Sequence, residues 1–351
     1  MSGQTGSLKK TLTRFSTNML VRTILLPSVF TSIPEDQASL YNSVISLLQN
    51  LEKNGVVLID DNNCIKQALS QGVSKWPVKF RQKAQKLLVE LNKKGRLVEL
   101  SLNGEMKSSC GEPPCHNCMR MAKLYLPPAI IANNNCKKCA SNQLASVSTV
   151  EVVDVAEYSI SNFFDVHLNQ GDRLILNSEW TQKEFEEEIL IPLLRDAKDV
   201  KIYDRYIGRS ILTENAAKYK LTIEWIINVF VRERGSKLNG VFEVYGGLGN
   251  LSIRSAEIPR AVSELRNLET DMQKRYPKFK LIIKKETQNS QMPHDRFLIT
   301  NQVAISIGRG FDLLLEKRQI PYPRRIRDVT IAYCSEPGKI EQAVRSLPDL
   351  P

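Results

Sequence analysis

Residues 292–301 read Met292-Pro293-His294-Asp295-Arg296-Phe297-Leu298-Ile299-Thr300-Asn301. A polar entrance carrying one of the chain's three histidines runs into an apolar stretch, the pattern of a loop entering a buried strand. Period two along a strand sets His294 and Arg296 on the same side. An imidazole and a guanidinium sharing a face suit a phosphate, since the first can attack phosphorus and the second can clamp the oxygens. The other reading is a His–Asp turn that caps the strand and does no chemistry.

Working outward, Gly308-Arg309-Gly310-Phe311-Asp312 ends the next strand, and its flanking glycines would let Arg309 be presented beside His294. Upstream, Val200-Lys201-Ile202-Tyr203-Asp204-Arg205-Tyr206 ends a strand with Asp204 and Arg205, and strand ends of an α/β sheet are where ligands bind. Strands are predicted at 149–155, 200–203, 241–245, 279–283, 296–300, 303–307 and 328–334, with helices over roughly 215–234 and 257–276. Another helix begins at Thr181, where Glu184 can close a capping box and Trp180 can pack on Phe185. It should run to about Ala197, kinked at Pro192. Such alternation predicts an α/β sandwich with a mixed sheet. Gly246-Gly247-Leu248-Gly249 lacks the Lys-Ser/Thr of a P-loop and reads as a plain turn.

The pieces IYDRYIG (202–208), HDRFLIT (294–300), AISIGRGFDLL (304–314) and RDVTIAYC (327–334) resemble, in order and spacing, a known domain. It is the C-terminal, phospholipase D-like domain of MIT-domain-containing proteins, and the likeness covers about 198–335. The resemblance implies a phospholipase D-like fold, whose His-x-Lys-x4-Asp motif supplies a nucleophilic histidine and a phosphate-binding lysine. His294 falls on the histidine, Arg296 on the lysine and Asn301 on the acid; two of three positions are changed, and Arg does not replace Lys neutrally. Arg309, Arg205 and Asp204 are the accompanying phosphate-binding candidates. Active members need two such motifs, so the single histidine here implies that cleavage requires a homodimer. The MIT-associated domains resemble binding modules for acidic lipid headgroups.

Five of seven cysteines fall within thirty positions, and Cys115-His116-Asn117-Cys118 and Cys136-Lys137-Lys138-Cys139 are separated by seventeen residues. Two Cys-x-x-Cys knuckles complete a tetrahedral Zn²⁺ site, and the turn-rich segment around them has little core of its own. Cys115, Cys118, Cys136 and Cys139 are therefore expected to hold a structural zinc in a ribbon, with His116 or Cys110 as substitute ligands; a redox or disulfide pair is the alternative. Four protein ligands leave no open position for zinc catalysis. Cys64 and Cys334 sit beside apolar residues and read as buried thiols.

The net charge is +11, from 49 basic and 38 acidic residues in a chain of 351. Residues 1–150 hold 19 basic and 9 acidic side chains, so nearly all of the excess is at the front. Between Lys75 and Arg96 lie eight basic residues and one acid, Glu90. Lys79, Lys83, Lys86, Lys93 and Lys94 on a helix over 79–94 are candidates for nucleic-acid contact, against a merely solvated face. Val56-Val57-Leu58-Ile59 reads as a buried strand delivering Asp60 and Asp61. That pair weakly resembles PIN-like metal nucleases, which implies Mg²⁺ or Mn²⁺ held with Asp154 and Glu157, although Asp-Asp-Asn-Asn is also an ordinary turn.

No run of eighteen apolar residues exists and the N-terminus lacks the apolar core of a secretory signal, so the expected location is cytoplasmic. The expected fold class is α/β: a basic N-terminal α/β region (1–106), an inserted zinc ribbon (107–145) and a phospholipase D-like sandwich (146–351). The function expected is a nucleic-acid-directed protein, a nuclease or a degenerate phosphate-binding domain, for which prokaryotic defence against foreign nucleic acid would be a fitting role. The rival is a non-enzymatic scaffold docking an acidic membrane surface or a protein.

Overall fold

A computed structural model describes residues 19–31, 37–102, 114–169, 171–176, 179–213, 216–235, 239–249, 256–287, 291–308, 310–314 and 324–350. The chain is α/β and forms two sheets. The first contains β1 (Val21–Leu25), β2 (Gly55–Asp60), β3 (Leu97–Leu100), β4 (Ala129–Ala132) and β5 (Glu151–Asp154), in the order β3-β2-β1-β4-β5. All its pairings are parallel. Every residue of β2 and β4 is buried, as a parallel sheet covered on both faces demands.

The covering helices are α2 (Ala38–Asn54), α3 (Cys64–Ser74), α4 (Val78–Lys93), α5 (Pro114–Tyr125) and α6 (Asn134–Gln143), after a short α1 (Ser28–Thr31). In α2, Tyr41, Val44, Ile45, Leu48 and Leu51 repeat at helical spacing and are buried against the sheet.

Two expectations are corrected here. The segment 107–145 is not a separate insert, because its strand β4 lies between β1 and β5 in the first sheet. That sheet also claims β5, so the two sheets divide after residue 154 and not at 145. The cysteine pairs stand on helices α5 and α6, not on the knuckles of a ribbon. The strand that joins the cysteine segment to this sheet is Ala129-Ile130-Ile131-Ala132. The run is as long as Val56–Ile59, but its two alanines have little strand preference and Pro127-Pro128 and Asn133-Asn134-Asn135 on either side read as loop; full burial between two partner strands makes it a strand.

The second sheet comprises β6 (Arg173–Ile175), β7 (Val200–Asp204), β8 (Phe242–Gly246), β9 (Phe279–Ile283), β10 (Arg296–Thr300), β11 (Ala304–Ile307) and β12 (Val329–Tyr333). Its order is β6-β12-β11-β10-β7-β8-β9. The β7-β8-β9 pairings are parallel and the rest antiparallel, the mixed sheet expected. The Thr181 capping box is present, with both hydrogen bonds made and Trp180 packed edge-on to Phe185. α7 (Gln182–Phe185) continues into α8 (Ile191–Leu194) through a widened π turn at Glu186–Leu190. This turn directly precedes Pro192, whose missing N–H interrupts the regular ladder. α9 (Ile207–Ser210), α10 (Ala216–Arg234), α11 (Glu257–Gln273) and α12 (Pro337–Arg345) complete the fold.

The two sheets share one apolar core and a polar seam. Arg22 grips Asp196 with two hydrogen bonds of 2.9 and 2.6 Å. Arg96, 3% exposed, donates to the carbonyls of Gln302, Leu51 and Gly55, while the Gln302 amide donates to Gly95. Burial pulls the Arg96 pKa down to about 10. Among the described residues no helix is long and apolar enough to cross a membrane.

Candidate functional site

β10 is antiparallel to both β7 and β11, so its first residue lies at the edge where β7 and β11 end. Three stretches separate in sequence thereby meet: Asp204-Arg205-Tyr206 after β7, His294–Arg296 entering β10, and Gly310–Asp312 after β11. The Tyr206 ring is their centre. Arg296 places its guanidinium 4.8 Å from the ring centroid, and Arg205 lies 5.7 Å away. The exposed His294 imidazole meets the ring edge-on at 5.4 Å and 74°. Cations over an aromatic face are held electrostatically, which orients both guanidinium groups.

Asp204 lies beneath and is wholly buried. It accepts the Tyr206 N–H at 2.8 Å and stands 3.7 Å from Arg296 Nε. Burial pushes its carboxyl above the ordinary value, opposed by the Tyr206 N–H, Arg296 and the Tyr219 hydroxyl. Gly310 has φ +103, and a Cβ there would stand 3.1 Å from both Arg296 Nε and Tyr219 Oη. A side chain there is strained by the backbone and crowded by both groups. Glu286 pairs with Arg205 at 2.8 Å and accepts the Met292 N–H at 2.9 Å, tying the loop that carries His294. Burial raises the Glu286 carboxyl as well. Farther along, Arg327 holds Asp312 at 2.5 Å.

Of the residues expected at this site, His294, Arg296, Arg205 and Asp204 are brought together. Asn301 is not. It follows the far end of β10, about 20 Å from His294 along an extended strand, and its side chain accepts the backbone N–H groups of Lys198 and Asp199. It anchors the turn before β7. Arg309 lies outside the described residues, as does Cys110. Tyr219 and Glu286 were not foreseen. Both are ordinary polar residues in their local sequence, and only the packing of α10 and the β9 exit carries them to the site.

The free basic face of α4 is smaller than its sequence suggests. Lys79, Lys83 and Lys86 are exposed on α4 with Lys75 just before it. Lys93, also exposed, pairs with Glu90 at 3.2 Å, Lys94 pairs with Glu52, and Arg96 is buried.

The carboxylates of the PIN-like reading do not converge. Asp60 ends β2 and Asp154 ends β5, with β1 and β4 between them, about 14 Å at normal strand spacing. Asp60 is spent on the Ile65 N–H and the Asn117 amide, each 2.9 Å, and Asp154 on the Ala156 N–H. Glu157 pairs with Lys137. Among the described residues no cluster of acids offers Mg²⁺ or Mn²⁺ a site.

Cys115 and Cys139 are exposed, Cys136 is half-buried and Cys118 fully buried, all as free thiols. Cys334 is half-buried and free, whereas Cys64, buried as expected, is disulfide-bonded and not a free thiol.

No family model matches the chain, and neither a curated protein nor a solved structure does.

Proposed function

We propose that this chain binds a phosphodiester of a nucleic acid at a phospholipase D-like site centred on His294 and Arg296. The observation that carries the reading is the convergence of His294, Tyr206 and Arg296 above the buried Asp204 at one edge of a mixed seven-stranded sheet. Arg296 is backed by Asp204 at a distance too long for a good hydrogen bond, so it is oriented and keeps donors for phosphate oxygens. The exposed α4 lysines supply a second, sequence-independent contact to the backbone.

One histidine per site supports binding by a single chain and cleavage by a homodimer. In cleavage, the His294 imidazole would bond to phosphorus as the ester P–O bond breaks. A second copy's imidazole would protonate the leaving oxygen, and water would then hydrolyse the P–N bond.

Gel shifts on DNA and RNA across a salt series test the binding. Reversing Lys79, Lys83 and Lys86 to Glu should flatten the salt dependence by roughly 3 in slope. An unchanged slope removes α4 from the interface. His294→Ala should change stability by less than about 0.5 kcal/mol, because the side chain is exposed, while abolishing any chelator-insensitive cleavage. Binding to anionic vesicles without binding to nucleic acid would overturn the reading in favour of a membrane scaffold.

A further inference from the structure

The turn at Gly246–Gly249, which follows β8, lies between an arginine and the acid that holds it. The parallel register pairs Asp204 with Gly246 and Gly246 with Ile283, so the chain segments leaving β7, β8 and β9 run side by side. They stay laced past the strands. The Gly247 N–H donates to the Asp204 carbonyl at 3.1 Å, and the Lys284 N–H donates to the Gly246 carbonyl at 2.8 Å. Arg205 belongs to the first of these segments and Glu286 to the third, about 10 Å apart at normal strand spacing. Their side chains nevertheless meet, with Arg205 Nε 2.8 Å from Glu286 Oε1. They cross where the middle segment has Gly247. A Cβ at that position would stand 2.7 Å from the Arg205 carbonyl oxygen and 3.0 Å from Glu286 Oε2, so a side chain there would force the pair apart.

The pair is enclosed, the Arg205 and Glu286 side chains being 10% and 8% exposed. Glu286 also accepts the Met292 N–H at 2.9 Å, and the Gly249 N–H favours its charged form. One carboxylate thus ties together the exits of β7 and β8 and the loop that carries His294. Arg296 is placed differently. It stands 3.7 Å from Asp204, beyond a good hydrogen bond, with 18% of its side chain exposed. Of the two guanidinium groups over the Tyr206 ring, one is committed to an acid and the other is open to a ligand.

We infer, resting on the phosphate site proposed above, that Glu286 determines which phosphate the site accepts: by occupying Arg205 it leaves Arg296 to meet a singly charged phosphodiester and disfavours a doubly charged terminal phosphate. The cluster sets two guanidinium groups, Arg205 and Arg296, against two carboxyl groups, Asp204 and Glu286. A phosphodiester brings one negative charge, which the open Arg296 can meet. A terminal phosphomonoester brings nearly two at neutral pH. The second charge would enter a partly desolvated site with no other uncommitted guanidinium at the Tyr206 ring among the described residues, and close to the Glu286 carboxylate. An uncompensated charge in such surroundings is costly. Discrimination then comes from a repulsive group built into the site and not from an added contact. Removing the Glu286 charge would release Arg205 and supply the missing cation.

The test compares a nucleoside 5′-monophosphate with its methyl ester, the same nucleoside carrying a monoester or a diester. Each is titrated into the full chain at about pH 8, where the monoester holds both charges, and binding is followed by the NMR signal of the His294 imidazole. The unaltered chain should bind the methyl ester at least about tenfold more tightly. Glu286→Gln keeps an amide oxygen for the Met292 N–H, and the ratio should fall at least about fivefold through tighter binding of the monoester. Adding Arg205→Met to Glu286→Gln should remove that gain. A merely structural Glu286 would weaken both ligands together and leave the ratio unchanged, which overturns the inference. Equal or tighter binding of the monoester by the unaltered chain also overturns it, and that measurement needs no variant to fold. Arg296→Met separates the two readings. If the methyl ester depends on Arg296 but the ratio is flat, only the role of Glu286 falls. If the methyl ester does not bind, or binds equally well to Arg296→Met, the phosphate site falls and the role of Glu286 with it.

Discussion

Two aspartates, each wholly buried and each ending a strand, show how differently the two sheets use the same position. Asp60 at the end of β2 has a hydrogen bond on each oxygen, from the Ile65 N–H and the Asn117 amide. Asp204 at the end of β7 has one backbone donor, a 3.7 Å contact with Arg296 and a neighbouring tyrosine hydroxyl. The first carboxylate is satisfied and serves folding. The second is desolvated and incompletely compensated, the kind of environment that marks a candidate site where the first marks a brace.

The widest expected difference between them is in stability. Asp60→Ala strands two buried donors and should cost about 3 kcal/mol in urea unfolding. Asp204→Asn keeps an acceptor for the Tyr206 N–H and removes a desolvated charge, so it should stay within about 1 kcal/mol of the parent while weakening phosphate binding through a loosened Arg296. Equal losses in both variants would break the comparison. Next, Gly310→Ala should cost roughly 1–3 kcal/mol, because φ +103 strains any other residue and the new methyl meets Arg296 and Tyr219. If it is silent, the close packing at the site is not what holds Arg296.

The smallest effect is the pH dependence, and its sign is unusual for a carboxylate. Asp204 and Glu286 have folded-state values raised by burial, so the native chain holds more protons than the unfolded one above the ordinary carboxylate range. Their contribution to stability therefore falls as pH rises through that window and levels off above the folded-state values. Asp204→Asn should flatten part of this slope in denaturation series from about pH 4 to pH 7. A slope that steepens would mean that the charge is well compensated in the folded chain.

The local parts of this fold were legible because their signals are local. The Thr181–Glu184 box, the helix read over 215–234 and the apolar run of β10 each lie within one continuous stretch and reappear nearly as read. The His294–Arg296 spacing set that pair at a strand entrance, where β10 begins at Arg296. Asn301 misled because matching a motif by count says nothing of where the strand's other end leads. Tyr219 and Glu286 were illegible for the converse reason: nothing near them in the chain differs from an ordinary surface pattern.

Composition, periodicity and capping residues thus determined by themselves that the chain is α/β, where most of its helices and strands lie, and which histidine enters a strand. Tertiary structure alone decided that the cysteine segment is part of a parallel sheet and that Asp60 and Asp154 stay apart. It also decided that Asp204, Tyr206, His294 and Arg296 converge. Strand order is set by which apolar faces pack together across long separations, and no single stretch of sequence contains that information.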